Sequence, residues 1–199
     1  DYYNYLTQDG EIRNYISLSK IVLNEVNLKK YYSYGGADGL SNKDFDIIKN
    51  WIADERTHAM WCANLIAYPI EKENFESVMT EAATRFGDSP YVATTDDGKV
   101  VGFFCYSVNL DSNEGMLKFV MVDPEQRGKG LGKEMLKLAV KYAFNITKAD
   151  VVHLNVFPEN TRAKKCYESV GFVERQTELN AFAFQNESWG RCNMIIKKG

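Results

Sequence analysis

Three glycines fall within five residues in the run Arg127-Gly128-Lys129-Gly130-Leu131-Gly132. Where side chains are missing, backbone N–H groups can close on an anion, and a helix starting there adds the positive end of its dipole. Arg127 and Lys129 bring two positive charges to the same corner. Just before it, Phe119-Val120-Met121-Val122 has the β-branched character of a strand, and Asp123-Pro124-Glu125-Gln126 brings that strand to an end. A strand, a glycine-rich corner and a helix start make a cradle for phosphate, so the ligand is expected to be phosphorylated.

Two familiar phosphate loops fail on spacing. A Walker-type loop ends in Gly-Lys-Ser/Thr, but Gly132-Lys133 is followed by Glu134, and the position where its first glycine belongs is Arg127. A dinucleotide fingerprint counted from Gly128 and Gly130 needs a third glycine where Lys133 stands. The pattern that fits is Arg-x-x-Gly-x-Gly, met by Arg127, Gly130 and Gly132. Further on, the run from Asn160 to Phe172 reads Asn-x-x-Ala-x-x-x-Tyr-x-x-x-Gly-Phe, through Ala163, Tyr167 and Gly171. In these two motifs and their order the chain resembles the GNAT acyltransferases, which move acetyl groups from acetyl-coenzyme A to amines. The resemblance extends over about residues 28–198, and its outer parts are most similar to the bacterial ribosomal-protein-alanine acetyltransferase branch.

The resemblance implies a set of roles. Arg127, Gly128, Lys129, Gly130, Leu131 and Gly132 would hold the coenzyme A pyrophosphate, where bonds to charged oxygens are roughly twice as strong as neutral ones. The strand edge at Val120, Met121 and Val122 would pair with the amides of the pantetheine arm, and a backbone N–H near Val120 would polarise the thioester carbonyl. Asn160 would bond the arm, and it is also a good helix cap. Tyr167 would be the general acid that protonates the departing sulfur, although its place beside Ala163 and Val170 on a helical stripe would equally suit packing. Asn155 stands where ribosomal-protein acetyltransferases carry a glutamate; it cannot take a proton at neutral pH, and it is counted among the cofactor-binding residues. Glu114 is the nearest carboxylate, read as a solvated charge at a strand end, and no base is assigned. Transfer is expected by direct attack, because no histidine lies near Cys166 in sequence to support a covalent intermediate. Two rivals are a non-catalytic module that senses acyl-coenzyme A, favoured by the missing glutamate, and an enzyme with a longer acyl donor.

The elements needed to position these residues are visible as periodicity. A helix is expected from Ser41 to about Arg56, on the spacing of Phe45, Ile48, Trp51 and Ile52, and a second from after Pro69 to Gly87. Strands follow over Tyr91–Thr95, Lys99–Val108 and Leu117–Val122, with a turn at Asp96-Asp97-Gly98. Leu131, Met135, Leu138, Ala139 and Tyr142 form the stripe of a helix over Gly130–Phe144. A strand over Val151–Phe157, a helix over Thr161–Val170 and strands around Phe172–Phe184 and Arg191–Lys197 complete the chain. Ahead of all this, Asp9-Gly10 signals a turn and Ile21–Val26 a strand. This pattern predicts an α/β protein with a mixed sheet covered on both faces. The GNAT resemblance implies a mostly antiparallel sheet of six to seven strands with a V-shaped splay, and a tyrosine-rich N-terminal extension over 1–27 ahead of a GNAT domain over 28–199.

Bulk properties set the outer bounds. The 199 residues suit one domain, and 45% hydrophobic with 26% charged residues is ordinary for a folded protein. A net charge of −3 gives no reason to expect nucleic acid, and no apolar run is long enough to span a membrane. Cys62, Cys105, Cys166 and Cys192 are widely spaced and read as buried thiols of a reducing compartment. His58 and Cys62 sit one helical turn apart, two ligands without a third, so no metal is expected. The first residue is Asp1, with no basic-then-apolar leader, which points to a trimmed or internal start and to the cytoplasm. The partner expected is an amine acceptor, small molecule or peptide, with the protein a monomer or homodimer.

Overall fold

Apolar residues that recur every second position in the central strands and every third or fourth in the helices can be buried together only if helices lie on a sheet. A computed structural model of the chain describes residues 42–199 and, ahead of them, the strands Tyr2–Leu6 (β1), Ile12–Ile16 (β2) and Val26–Lys30 (β3), with side chains from Asp44 onward. The remaining elements are α1 (Asn42–Lys49), α2 (Glu55–Cys62), α3 (Lys72–Phe86), β4 (Ser89–Thr95), β5 (Val100–Asn109), β6 (Glu114–Val122), α4 (Leu131–Asn145), β7 (Val151–Val156), α5 (Thr161–Val170), β8 (Val173–Phe184) and β9 (Glu187–Lys197). Among the described residues the strands form one sheet in the order β1-β2-β3-β4-β5-β6-β7-β9-β8. Every neighbouring pair is antiparallel except β6 and β7.

The expected mixed, mostly antiparallel α/β architecture is the one observed. Six to seven strands were expected; β3 to β9 are seven, and β1 and β2 continue the same sheet to nine. The expected domain boundary at residue 28 falls inside β3. The turn at Asp9-Gly10, the cap at Ser41 and the tyrosine side chains of the first 35 residues lie outside the described residues, as does the expected strand over Ile21–Val26 apart from Val26. No described helix is long and apolar enough to cross a membrane.

Each face of the sheet has its own core. Helices α4 and α5 bury Leu131, Met135, Ala139 and Tyr167 against Phe104, Leu117, Val152 and Leu154. On the other face Phe45 and Ile48 of α1 and Phe75 of α3 meet Val92, Phe103, Phe119 and Met121. A third group, Ala59 of α2 with Phe157, Phe184 and Trp189, packs at the β7–β9 side.

One expected element divides in two. The helix predicted from Ser41 to Arg56 stops at Lys49, and a second begins at Glu55 after Asp54, whose Oδ1 accepts the Thr57 N–H at 2.7 Å. The spacing concealed the break because the Trp51 and Ile52 N–H groups donate to Ile48 and Lys49 carbonyls, at 3.0 and 3.2 Å, in a closing turn that preserves three-residue intervals. An aspartate cap at Asp54 was the available signal.

Helix α3 is fastened to β6 by charge. Asp88, just past its end, has a side chain 2% exposed, and both carboxylate oxygens accept from Lys118 Nζ, at 2.8 and 2.9 Å. The same ammonium lies 4.7 Å from the Phe86 ring centroid. Lys118→Ala leaves the Asp88 carboxylate uncompensated and is expected to lower the unfolding free energy by about 3 kcal/mol in urea titrations. A loss below about 1 kcal/mol, the scale of a surface pair, would show that this contact does not hold α3 in place.

Candidate functional site

The glycine corner lies where β6 hands over to α4. The Asp123 N–H still donates to Val101 of β5 at 3.0 Å, while Asp123 Oδ1 accepts the Glu125 N–H at 2.9 Å and starts a 3₁₀ turn over Pro124–Gln126. Gly128 and Gly130 then take φ of 80° and 85°, a region open to glycine, and a Cβ at either would meet nothing within 4 Å. Gly130 is the N-cap of α4 and supplies no side-chain acceptor, so the first N–H groups of α4 are left for something else to satisfy. Gly132 eases a close approach: a Cβ there would sit 3.1 Å from Val122 Cγ2 and 3.6 Å from Cys166 Sγ.

Positive charge gathers around this corner. Burial pushes the Arg127 guanidinium below its ordinary value, and the neighbouring Arg162 adds to the fall. Two guanidinium groups near enough to act on each other suit a corner that takes up an anion, while Asp123 pulls the Arg127 value the other way. Arg162, in the first turn of α5, went unremarked in the sequence; its position two residues past the capping Asn160 was the available signal. Lys133 and Arg162 both act on the Cys166 thiol, which burial raises. Lys129 is tied to Gln126 Oε1 at 3.0 Å.

The expected splay is present and has a local cause. Strands β6 and β7 pair from Glu114↔Val151 to Leu117↔Leu154, and there the ladder stops. Immediately beyond, Phe119 and Val120 of β6 oppose the single residue Phe104 of β5, a β-bulge with Phe119 at φ 51°. The bulge changes which face the strand presents: Leu117 lies in the α4–α5 core, while Phe119 and Met121 lie in the core beneath α1 and α3. The Phe119 carbonyl accepts the indole N–H of Trp61, on α2, at 2.8 Å, and the indole makes edge contacts with Phe103 and Phe119. Past the bulge, the Asp123 bond to β5 sets the alternation. Met121 shares its direction, so the peptide groups of Val120 and Val122 turn into the gap left by β7.

Around the gap stand the other predicted residues. Asn155 is the first residue of β7 past the last rung, is exposed, and receives a bond from Asn193 at 2.8 Å. Asn160 caps α5, its Oδ1 accepting the Ala163 N–H at 3.2 Å. Tyr167 is buried with its ring edge-on to Phe172, and burial pushes its phenol well above the ordinary value. Glu114, expected as a solvated charge, is bound by Arg175 at 3.0 and 3.2 Å. His58 and Cys62 form a buried pair with Nε2 and Sγ 3.3 Å apart; burial lowers the imidazole and raises the thiol, so both are held neutral. Among the described residues no group of three or more His, Cys, Asp or Glu is placed to hold a metal.

The arrangement has counterparts among known proteins. The sequence model of the Acetyltransferase (GNAT) family matches residues 47–172. An aminoglycoside N(6')-acetyltransferase type 1 of Klebsiella pneumoniae is 26% identical over 149 residues, covering 69% of this chain and 72% of that protein. A spermine/spermidine N(1)-acetyltransferase of Bacillus subtilis is 32% identical over 82 residues, 38% of this chain and 54% of that one. The crystal structure of a spermidine N-acetyltransferase from Vibrio cholerae, in complex with CoA and spermine, superposes with a TM-score of 0.68 at 20% identity, covering 86% of this chain and 95% of that one, which is a likeness of fold.

The indole clamp on the bulge can be tested by stability alone. Trp61→Phe keeps an aromatic ring but removes the N–H, leaving the Phe119 carbonyl without that donor. Equilibrium denaturation is expected to show a loss of about 1 kcal/mol. Unchanged stability would show that the bulge holds itself.

Proposed function

The chain belongs to the GNAT acetyltransferase family and is an acetyl-coenzyme A-dependent N-acetyltransferase, and from that premise we propose how its own residues perform the transfer to an amine acceptor. One observation carries the assignment of the donor site. The two left-handed glycines at the head of α4 are continuous with the peptide edge of Val120 and Val122 turned into the β6–β7 gap. An anion cradle that runs into an unpaired strand edge matches a ligand with a diphosphate at one end and amide groups along its length. The donor supplies an activated acyl thioester; everything else falls to the protein.

In this reading the backbone from Gly128 to Gly132 grips the pyrophosphate, with Leu131 opening the helix whose first turn faces it. Arg127, Lys129 and Arg162 balance its charge. Val120, Met121 and Val122 align the arm, Val120 N–H polarises the carbonyl, and Asn160 stands where the arm leaves the gap; Asn155, expected among the cofactor-binding residues, is assigned instead to the acceptor side. Tyr167 holds the proton that the departing sulfur takes up. Its raised pKa keeps the phenol protonated across the working range, which suits a donor of protons and excludes a base. No carboxylate is assigned as base, because Glu114 is already engaged by Arg175; the amine reaches the site neutral or loses its proton to water. Direct attack is favoured by Cys166, whose raised thiol is a poor nucleophile. The cytoplasm is the compartment we assign, in keeping with four free thiols.

Steady-state kinetics with a panel of amines tests the acid. Tyr167→Phe is expected to lower kcat about 100-fold while KM for acetyl-coenzyme A stays within about threefold. In the unmodified protein kcat shows no alkaline fall from this group below about pH 10, the ordinary phenol value. Retained turnover in the variant removes Tyr167 from the mechanism. The cradle is tested separately by calorimetry: Arg127→Ala and Arg162→Ala should each weaken coenzyme A binding by about tenfold, most strongly at low salt. Unaltered affinity in both variants would mean that the pyrophosphate sits elsewhere.

A further inference from the structure

At the head of the gap runs a line of side-chain hydrogen bonds whose direction is fixed. Arg175, on β8, can only donate. One guanidinium nitrogen reaches both Glu114 oxygens, at 3.0 and 3.2 Å, and its Nε donates to Asn193 Oδ1 at 2.7 Å. Asn193, on β9, therefore turns its oxygen to Arg175 and its Nδ2 to β7. There it donates to the Leu154 carbonyl at 3.2 Å, a group that can only accept, and to Asn155 Oδ1 at 2.8 Å, with His153 Nδ1 at 3.3 Å. Because the groups on both sides of the Asn193 amide have a single possible role, it cannot be reversed. The oxygen of Asn155 is thereby engaged, and its two Nδ2 hydrogens face outward.

Leu154 and Val156, the neighbours of Asn155 on β7, point into the core under α4 and α5, so Asn155 lies on the opposite face, the one α2 covers farther along the sheet. By register it stands level with Lys118, two residues short of Val120, a rise of about 6 Å along β6.

We propose that Asn155 is a specificity residue of the acceptor cleft, presenting only N–H donors beside the reacting centre, and that the acceptor carries a hydroxyl or carbonyl oxygen on the carbon next to its amine-bearing one. The proposal rests on the acetyl-transfer reading above. A polyamine has only methylene groups at that position and would leave the Asn155 N–H donors without an acceptor. An amino sugar with a neighbouring hydroxyl, or an amino-terminal residue with its carbonyl, places an acceptor there. Asn193, Arg175 and Glu114 act through Asn155 and are positioning residues.

The test uses the full chain with acetyl-coenzyme A and three probes, glucosamine, alaninamide and spermidine, beside calorimetry with coenzyme A. We expect kcat/KM for glucosamine or alaninamide to exceed that for spermidine by about tenfold or more. Asn155→Asp keeps the shape and still accepts from Asn193 but replaces the donor by a carboxylate oxygen. It should lower that preference by about tenfold or reverse it, with KM for acetyl-coenzyme A within about threefold. Arg175→Met, which removes one of the two groups that fix Asn193, should narrow the preference in the same direction, by less than Asn155→Asp does. Whichever oxygenated probe reacts identifies the source, sugar or peptide. A native preference for spermidine, or a preference unmoved by Asn155→Asp, overturns the proposal. So does normal coenzyme affinity without turnover of either oxygenated probe. A chain that fails to bind coenzyme A defeats instead the reading on which the proposal is built.

Discussion

A single extra residue in β6 organises this molecule. Parallel strands that stay paired leave no room for a ligand, and a strand that simply ends leaves no edge to bind one. The bulge at Phe119 and Val120 gives a third outcome: β6 remains bonded to β5 while its direction departs from β7. A non-glycine residue with positive φ costs about 1–2 kcal/mol. Phe119 is held there because its ring is buried beneath the helical layer and its carbonyl is taken by Trp61. The strain is thus offset by contacts on the face away from α4, and the opened edge is left to the ligand.

The second constraint is electrostatic. The chain carries a net charge of −3, yet Arg127, Lys129, Lys133 and Arg162 are brought near one corner by three different elements. Asp123 offsets part of the repulsion at Arg127, and an anion bound at the corner would offset more of it. The absence of a side-chain acceptor at Gly130 works in the same sense, since a serine or aspartate there would satisfy the α4 N–H groups internally. Gly132 lets α4 lie close against Val122 and Cys166.

Much of this was legible in the chain before folding was considered, and the exceptions are instructive. The glycine corner and the Asn160 cap carry their signal within one loop or one helix turn, α3 and the α4 stripe carry theirs within one helix, and all lie where the spacing places them. The division of α1 from α2 was hidden because the closing turn reproduces helical intervals. The bulge left no mark, because Leu117, Phe119 and Met121 alternate as in any strand; only the packing shows that the first lies on one face and the others on the opposite face. Trp61, Asn193 and Arg175 were invisible for a related reason, and Arg162 showed only as a basic residue two past a helix cap. Their importance arises from residues 35 to 61 positions away, across the sheet or between layers.

The Glu114–Arg175–Asn193–Asn155 line raises the question of what such a chain of polar groups is for. As a source of stability it is weak: Glu114 is 27% and Arg175 39% exposed, and pairs at that depth contribute about 0–1 kcal/mol. Strand β8 is largely exposed over its first eight residues, so burial does not account for arginine at position 175 either. A rotatable amide at an exposed position such as Asn155, left to water, would sample both orientations and offer a ligand a donor or an acceptor indifferently. Fixing it requires a partner whose own orientation is fixed, and that regress ends only at groups with one role, here a guanidinium and a peptide carbonyl. The line reaches such groups in two steps and crosses β7, β9 and β8 to do so. Its value lies in removing an ambiguity at one point on the rim of the gap, which is a contribution to selectivity rather than to folding.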